Sequence, residues 1–382
     1  MMETDERGPG AGGRKRARDL GIRIGRLEPG QWNAITDVPG VRVGHTTLIA
    51  GDGPLVVGRG PVRTGVTVIV PHEGALSDDP VFAGYHQLNG NGEMTGIAWI
   101  EESGLLTTPI AITNTHSVGV VRDAIIAYEV QHRENVPDIA WSLPVVAETY
   151  DGWLNDINGF HVRPEHVFQA LDAAASGPVA EGCVGGGTGM NCHEFKGGIG
   201  TSSRVLPPER GGWTVGVLVQ ANYGRRYLLR VDGVPVGEEI GPDVVPPPWP
   251  SARGDGSIII IVATDAPLLP HQCKRLAQRA TVGLARVGGN GDNGSGDLFL
   301  CFATGNRGLM DPADRISPIA TRMVPNTAID GLFEAVAEAT QEAIVNALCM
   351  ATTMAGIEGR ISYAIPLDRL QDVMRKYGRL HA

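Results

Sequence analysis

The stretch ARGDGSIIIIVATDAP, residues 252–267, decides how the rest of the chain is read. Residues 258–262 are five consecutive β-branched side chains, a run that reads as a strand buried on both faces. Yet its first position is Ser257, preceded by Gly254, Asp255 and Gly256. A serine hydroxyl is a weak nucleophile that needs a base, and no G-x-S-x-G or other recognisable Ser/His/Asp motif provides one. A cut between Gly256 and Ser257 would: the new α-amine, with a pKa of about 7.7 to 8.0, would sit beside the hydroxyl and could take its proton. Glycine before the cut reaches strained backbone conformations and lets the serine oxygen approach the preceding carbonyl for an N-to-O acyl shift. On composition alone, a strand that merely starts with serine after glycine is the commoner case.

Outward from this strand, short apolar runs bounded by Gly and Pro recur: GVRVGHTTLI (40–49), GVTVIVP (65–71) and TPIAITNT (108–115). They read as strands. Helical patterns cover residues 118–129, after the candidate caps Asn114, Thr115 and Ser117, and residues 164–175. The segment 211–233 reads as a hairpin turning at Asn222, Tyr223 and Gly224, and 237–256, rich in Pro, Gly and acid, as a surface linker. Beyond Ser257 come a basic helix over 270–286, a strand over 298–303, a long helix from about Asn326 and a short one over 367–376. Strands and helices in runs, without strict βαβ alternation, give an α+β protein with sheets inside and helices outside.

Composition excludes several classes. The chain has 382 residues, of which 42% are hydrophobic and 19% charged, as in a folded globular protein. A net charge of −10 argues against a nucleic-acid partner, because a phosphate-tracking surface needs clustered cations. No apolar stretch approaches the roughly 20 residues of a membrane span, and no apolar segment follows the basic run GRKRARD near the N-terminus as in a secretory signal. Residues 1–20 are expected to be a disordered tail, 21–382 a single catalytic domain, and the protein cytoplasmic. Five cysteines, few and odd in number, suit free thiols there. Cys183, Cys192 and His193 could be imagined as metal ligands, but no paired C-x-x-C or H-E-x-x-H spacing accompanies them, so no metal is expected. GCVGGGTGMNC (182–192) lacks the lysine of a phosphate loop and reads as glycines where backbones approach closely. RGD (253–255) would be an adhesion tripeptide only in an extracellular loop.

Several of these motifs occur together and in one order: NAITDVPGVRVGH, GNGEMTG, VVAETYDGWLND, GCVGGGTGM, GDGSIIIIVATDAPLLPHQCKRLAQRA and NGSGDLFLCFATGN. Together they resemble the self-processing L-aminopeptidase/D-amidase-D-esterase family, which includes the β-peptidyl aminopeptidases, from about Asn33 to the C-terminus. The resemblance implies a four-layer αββα fold like that of N-terminal-nucleophile hydrolases, and self-cleavage into chains 1–256 and 257–382. It implies Ser257 as nucleophile with its α-amine as base, Ser295 and Asp297 as the residues that orient the nucleophile and hold the amine, Asn222 and Tyr150 as oxyanion donors, and Glu148 as the carboxylate for a substrate ammonium. The implied reaction is release of small N-terminal residues from peptides, amides or esters with a free amine, through an acyl-enzyme, and it needs no organic cofactor. The implied assembly is a homo-oligomer of αβ heterodimers, a tetramer of them. Two alternatives stand beside this: an acyltransferase of the ornithine acetyltransferase type, disfavoured by serine where that family has threonine, and a β-peptidyl aminopeptidase, some of which lack a tyrosine at the position of Tyr150. Asp297 is also one methylene shorter than the Glu of some relatives.

Overall fold

The isoleucine run forms the strand Ser257–Thr264, and every residue of it is buried. The computed structural model that contains it describes residues 13–132, 141–249, 256–310 and 316–381. Among these, a six-stranded sheet has the order Leu105–Leu106, Val81–Gly90, Gly296–Ala303, Ser257–Thr264, Thr214–Asn222, Gly198–Val205. Ser257–Thr264 runs antiparallel to Thr214–Asn222 and parallel to Gly296–Ala303. Its side chains alternate between two cores, as a strand's period of two requires. Ile258, Ile260 and Val262 pack toward the helices Pro270–Val287 and Asp330–Met350, whereas Ile259, Ile261 and Ala263 pack toward a second sheet.

That second sheet has four strands, Arg42–Ala50, Val62–Val70, Ile110–Asn114 and Val145–Thr149. Its far face is covered by the helices Val118–His132 and Pro164–Asp172. The layers are therefore helix, sheet, sheet, helix, the αββα arrangement that the resemblance implied. No helix among the described residues is long and apolar enough to cross a membrane.

Three expectations change. The segment 211–233 is no hairpin: Thr214–Asn222 pairs with Gly198–Val205 and Ser257–Thr264, and the chain after it turns through Arg226–Leu228. Arg226 causes the departure, because its buried guanidinium donates to the carbonyls of His193, Glu194, Ile240 and Val245 and pulls the chain off the sheet. Residues 237–249 are not simply a surface linker, since Val236–Glu239 is a helical turn and Ile240 and Val245 are buried. The disordered tail does not extend to residue 20. Arg14 donates to the carbonyls of Leu348, Cys349 and Ile365, Arg16 pairs with Glu181 and Arg18 with Glu342, so residues 13–20 are pinned by cations seated on buried carboxylates and on the C-terminal end of a helix. Residues 1–12 and the RGD tripeptide lie outside the described residues. The glycines at 185–187 do serve close approach: a Cβ on Gly186 would lie 2.2 Å from Gln220 Oε1 and 2.6 Å from the Ile112 carbonyl oxygen.

Candidate active site

Ser257 opens its strand directly opposite Asn222 on one side and Gly296 on the other. It is 6% exposed, and its hydroxyl donates to the carbonyl oxygen of Gly256 at 2.8 Å. The Gly296 N–H reaches both atoms, 3.2 Å from Ser257 Oγ and 3.2 Å from the Gly256 oxygen. The hydroxyl thus lies against the bond that an N-to-O shift would break, with a backbone donor on the oxygen where negative charge would develop. Glycine at 256 is required for space more than for torsional freedom, because a Cβ there would lie 2.5 Å from the Asn222 carbonyl oxygen.

Asn222 ends the neighbouring strand and is held at both ends of its amide. Its Oδ1 accepts the Asn191 N–H at 2.8 Å, and its Nδ2 donates to the Tyr150 carbonyl at 2.9 Å. A backbone donor on one side and a backbone acceptor on the other fix which end is nitrogen and leave one Nδ2 hydrogen without a partner among the described residues. Asn222, Tyr150, Glu148 and Ser257 all line one cavity of about 730 Å³, together with Asn91, Glu93, Thr115, Asn191 and the indoles of Trp153 and Trp249. Tyr150 is half exposed in its wall.

Glu148 comes from the buried strand Val145–Thr149 and is 3% exposed. One oxygen accepts the Glu93 N–H at 3.1 Å and the other the Thr115 hydroxyl. Burial pushes its carboxyl pKa up, and these two hydrogen bonds pull it partly back. A cation entering the cavity would find a carboxylate that makes no ion pair among the described residues.

Ser295 and Asp297 stand behind the nucleophile. Ser295 Oγ donates to Asp297 Oδ1 at 2.6 Å, and the backbone of Ile258, the residue after Ser257, is hydrogen-bonded to the same carboxyl group. Burial pushes Asp297 up to about 6. Both residues line a small hollow beside Tyr223 and Asn290 and are absent from the lining of the large cavity. Cys192 and His193 are buried; His193 Nδ1 lies 3.0 Å from the Arg225 carbonyl oxygen, and among the described residues no group of three or more His, Cys, Asp or Glu is placed to hold a metal ion.

Sequence reasoning missed Asn191, Thr115, Glu93 and the Gly296 amide. Asn191 lies in GCVGGGTGMNC but looks like any polar turn residue, and a backbone N–H has no signature at all.

Comparison with known proteins identifies the family of the chain. The profile of peptidase family S58 matches residues 33–362. The chain is 50% identical over 381 residues to the β-peptidyl aminopeptidase BapA of Sphingosinicella microcystinivorans, covering 96% of this chain and 93% of the relative. Among solved structures, a β-aminopeptidase of Burkholderia sp. superposes with a TM-score of 0.88 at 57% identity, covering 95% of this chain and 99% of the other. The L-aminopeptidase D-Ala-esterase/amidase of Ochrobactrum anthropi, described as a prototype for the serine aminopeptidases and a variant of the Ntn-hydrolase fold, superposes with a TM-score of 0.86 at 45% identity, covering 96% and 99%.

Proposed function

This chain belongs to peptidase family S58 and is a hydrolase of the aminopeptidase type, and on that premise we propose that it matures by cutting itself between Gly256 and Ser257. The observation that carries this reading is the Ser257 hydroxyl resting 2.8 Å from the Gly256 carbonyl oxygen, with the Gly296 amide on that oxygen. Oγ adds to the Gly256 carbonyl carbon and gives up its proton, and the oxyanion is held by Gly296 N–H. The C–N bond breaks as the Ser257 nitrogen takes up that proton and leaves as the α-amine, and water hydrolyses the resulting ester to free the Gly256 carboxylate and the Ser257 hydroxyl. The freed α-amine then serves as base for Oγ against external substrates.

In the mature enzyme the substrate's ammonium sits on Glu148 and its carbonyl oxygen faces Asn222 Nδ2 and Tyr150. Asp297, through the backbone at Ser257 and Ile258, holds the α-amine, with Ser295 orienting the carboxyl. The substrates are peptides, amides and esters with a small, amino-free N-terminal residue. Identities of 50% and 57% to two β-aminopeptidases, against 45% to the L-aminopeptidase D-Ala-esterase/amidase, favour β-residues among them, although Tyr150, a tyrosine that some β-peptidyl aminopeptidases lack, points to the L-aminopeptidase branch. The cavity has room for the extra methylene. The five free thiols fit the reducing cytoplasm, and four αβ units form the assembly we assign.

Mass spectrometry of freshly purified protein tests the first step. Wild type is expected as two chains, 1–256 and 257–382, and Ser257→Ala as one uncut chain without hydrolytic activity. A fully active, uncut wild type would overturn the proposal. Hydrolysis of glycyl, alanyl and β-alanyl amides then ranks the substrates.

A further inference from the structure

Lysine is scarce in this chain, four of 32 basic residues, and one of the four is fully buried. Lys196 is 0% exposed, whereas the Lys274 and Lys376 side chains are 50% and 62% exposed in surface ion pairs. Its ammonium has no carboxylate within ion-pair distance in the described residues. It donates instead to three backbone carbonyls, of Met190 at 2.7 Å, Gly197 at 2.9 Å and Gly187 at 3.5 Å. Burying an ammonium is costly, and burial pulls the pKa of Lys196 down. Such a group persists where its three convergent donors hold something in place.

What it holds leads to the nucleophile. The Met190 carbonyl belongs to the peptide unit whose N–H is that of Asn191, so the lysine grips one end of a rigid plane and Asn222 the other. Asn191 N–H fixes Asn222 Oδ1 at 2.8 Å, and Asn222 Nδ2 donates to the Tyr150 carbonyl at 2.9 Å. The Met190 side chain is held as well, its sulfur accepting the Thr149 hydroxyl, which in turn accepts from Gln220 Nε2. A compact ammonium suits three carbonyls converging on a point; the planar fork of arginine does not.

We infer that Lys196 is a positioning residue for hydrolysis, holding the Met190–Asn191 peptide so that Asn222 presents its free Nδ2 hydrogen to the substrate oxyanion. This rests on the oxyanion role proposed for Asn222. Self-cleavage takes its donor from the Gly296 amide, so it depends on Lys196 far less than turnover does.

The test compares Lys196→Met, Asn222→Ala and the double variant, each recovered as processed chains and normalised to titrated active sites, on one amino-free amide. Lys196→Met is expected to lower kcat about 10- to 100-fold, less than the roughly 100- to 1,000-fold of removing the donor itself, with KM changed by less than about twofold. In the double variant the lysine substitution should add little to the loss from Asn222→Ala, since both act through one hydrogen bond. Unchanged kcat in Lys196→Met beside a large loss in Asn222→Ala overturns the inference, as does full additivity in the double variant. Unchanged kcat in Asn222→Ala instead removes the oxyanion role on which the inference rests. Should Lys196→Met fail to fold, Lys196→Gln, which keeps an NH2 group but not the charge or the third donor, carries the same expectations, and Lys196→Arg should not restore kcat.

Discussion

At Glu148 the energetics of a single carboxylate translate into substrate choice. It is buried, its two oxygens are satisfied by one amide and one hydroxyl, and it makes no ion pair among the described residues, so a substrate ammonium would supply a close cationic partner. An N-acetylated substrate would bury the same carboxylate without one. Amino-free amides should therefore be cut and their N-acetyl forms refused. Glu148→Gln should leave self-cleavage intact and weaken kcat/KM for the free amine by about 2 to 5 kcal/mol, the cost of removing one side of a buried charge pair; equal wild-type rates on both substrates would count against the assignment. Asp297 gives a second prediction, through pH. Its pKa in the folded, uncut chain is about 6 against an ordinary 3.8, because burial disfavours its charged form. A raised carboxyl binds more protons folded than unfolded, so its contribution to stability is present below about pH 4 and is lost as pH rises through 6. In the uncut Ser257→Ala background, Asp297→Asn should gain stability on the parent between pH 4.5 and 7.5, by about 2 kcal/mol in urea unfolding. No gain would mean that burial does not destabilise the charged carboxylate in the folded chain.

Among the elements, the fit of helix to sheet is set where strands carry glycine. Gly200, in Gly198–Val205, faces the helix Asp330–Met350, and a Cβ there would lie 1.9 Å from the Ala343 carbonyl oxygen and 2.7 Å from the Ala347 nitrogen. Both obstacles are backbone, so the whole helix would have to move. Gly200→Ala should cost at least about 3 kcal/mol in chemical denaturation, at the upper end of overpacking effects. Gly119, exposed at the start of Val118–His132 with nothing near its absent Cβ, provides the contrast: Gly119→Ala should be neutral or stabilising by up to about 1 kcal/mol. A loss at Gly119 as large as that at Gly200 would mean that clearance around the absent Cβ does not govern the effect.

In the whole molecule, the proposed cut separates segments that remain interlocked. Thr214–Asn222 and Ser257–Thr264 are adjacent strands on opposite sides of it. Fully buried Arg204, on the N-terminal side, pairs with Glu338 at 3.1 Å and Glu342 at 2.7 Å on the C-terminal side, and Arg18 joins Glu342. Salt screens exposed charges over a Debye length of about 3 Å at 1 M, but it cannot enter this network. The processed chains should co-elute in 1 M NaCl and separate only in denaturant. Arg204→Met should cost about 3 to 5 kcal/mol by leaving Glu338 buried without its cation and Glu342 with Arg18 alone. Dissociation of wild-type chains in salt alone would show that surface charge, not this core, holds them together.

Runs of one periodicity are legible in the amino-acid sequence alone: the strand at 257–264, the basic helix ending at Val287 and the long helix through Met350 each carry their pattern within a few turns of chain. The ordered motifs single out Ser257, Asn222, Tyr150, Glu148, Ser295 and Asp297 as candidates by resemblance, and the fold gathers Ser257, Asn222, Tyr150 and Glu148 around one cavity with Ser295 and Asp297 behind it. Local pattern misleads wherever a long side chain overrules it, as where Arg226 draws an expected strand off the sheet and Arg14, Arg16 and Arg18 tie down residues that read as a tail. Only the tertiary structure brings the Gly296 amide onto the Gly256 oxygen, or the Lys196 ammonium onto the carbonyls beside Asn191. The reason is physical: hydrophobic periodicity is a local property that burial turns into strands and helices, whereas a backbone donor or acceptor is present at nearly every residue and acquires a role only when folding aims it.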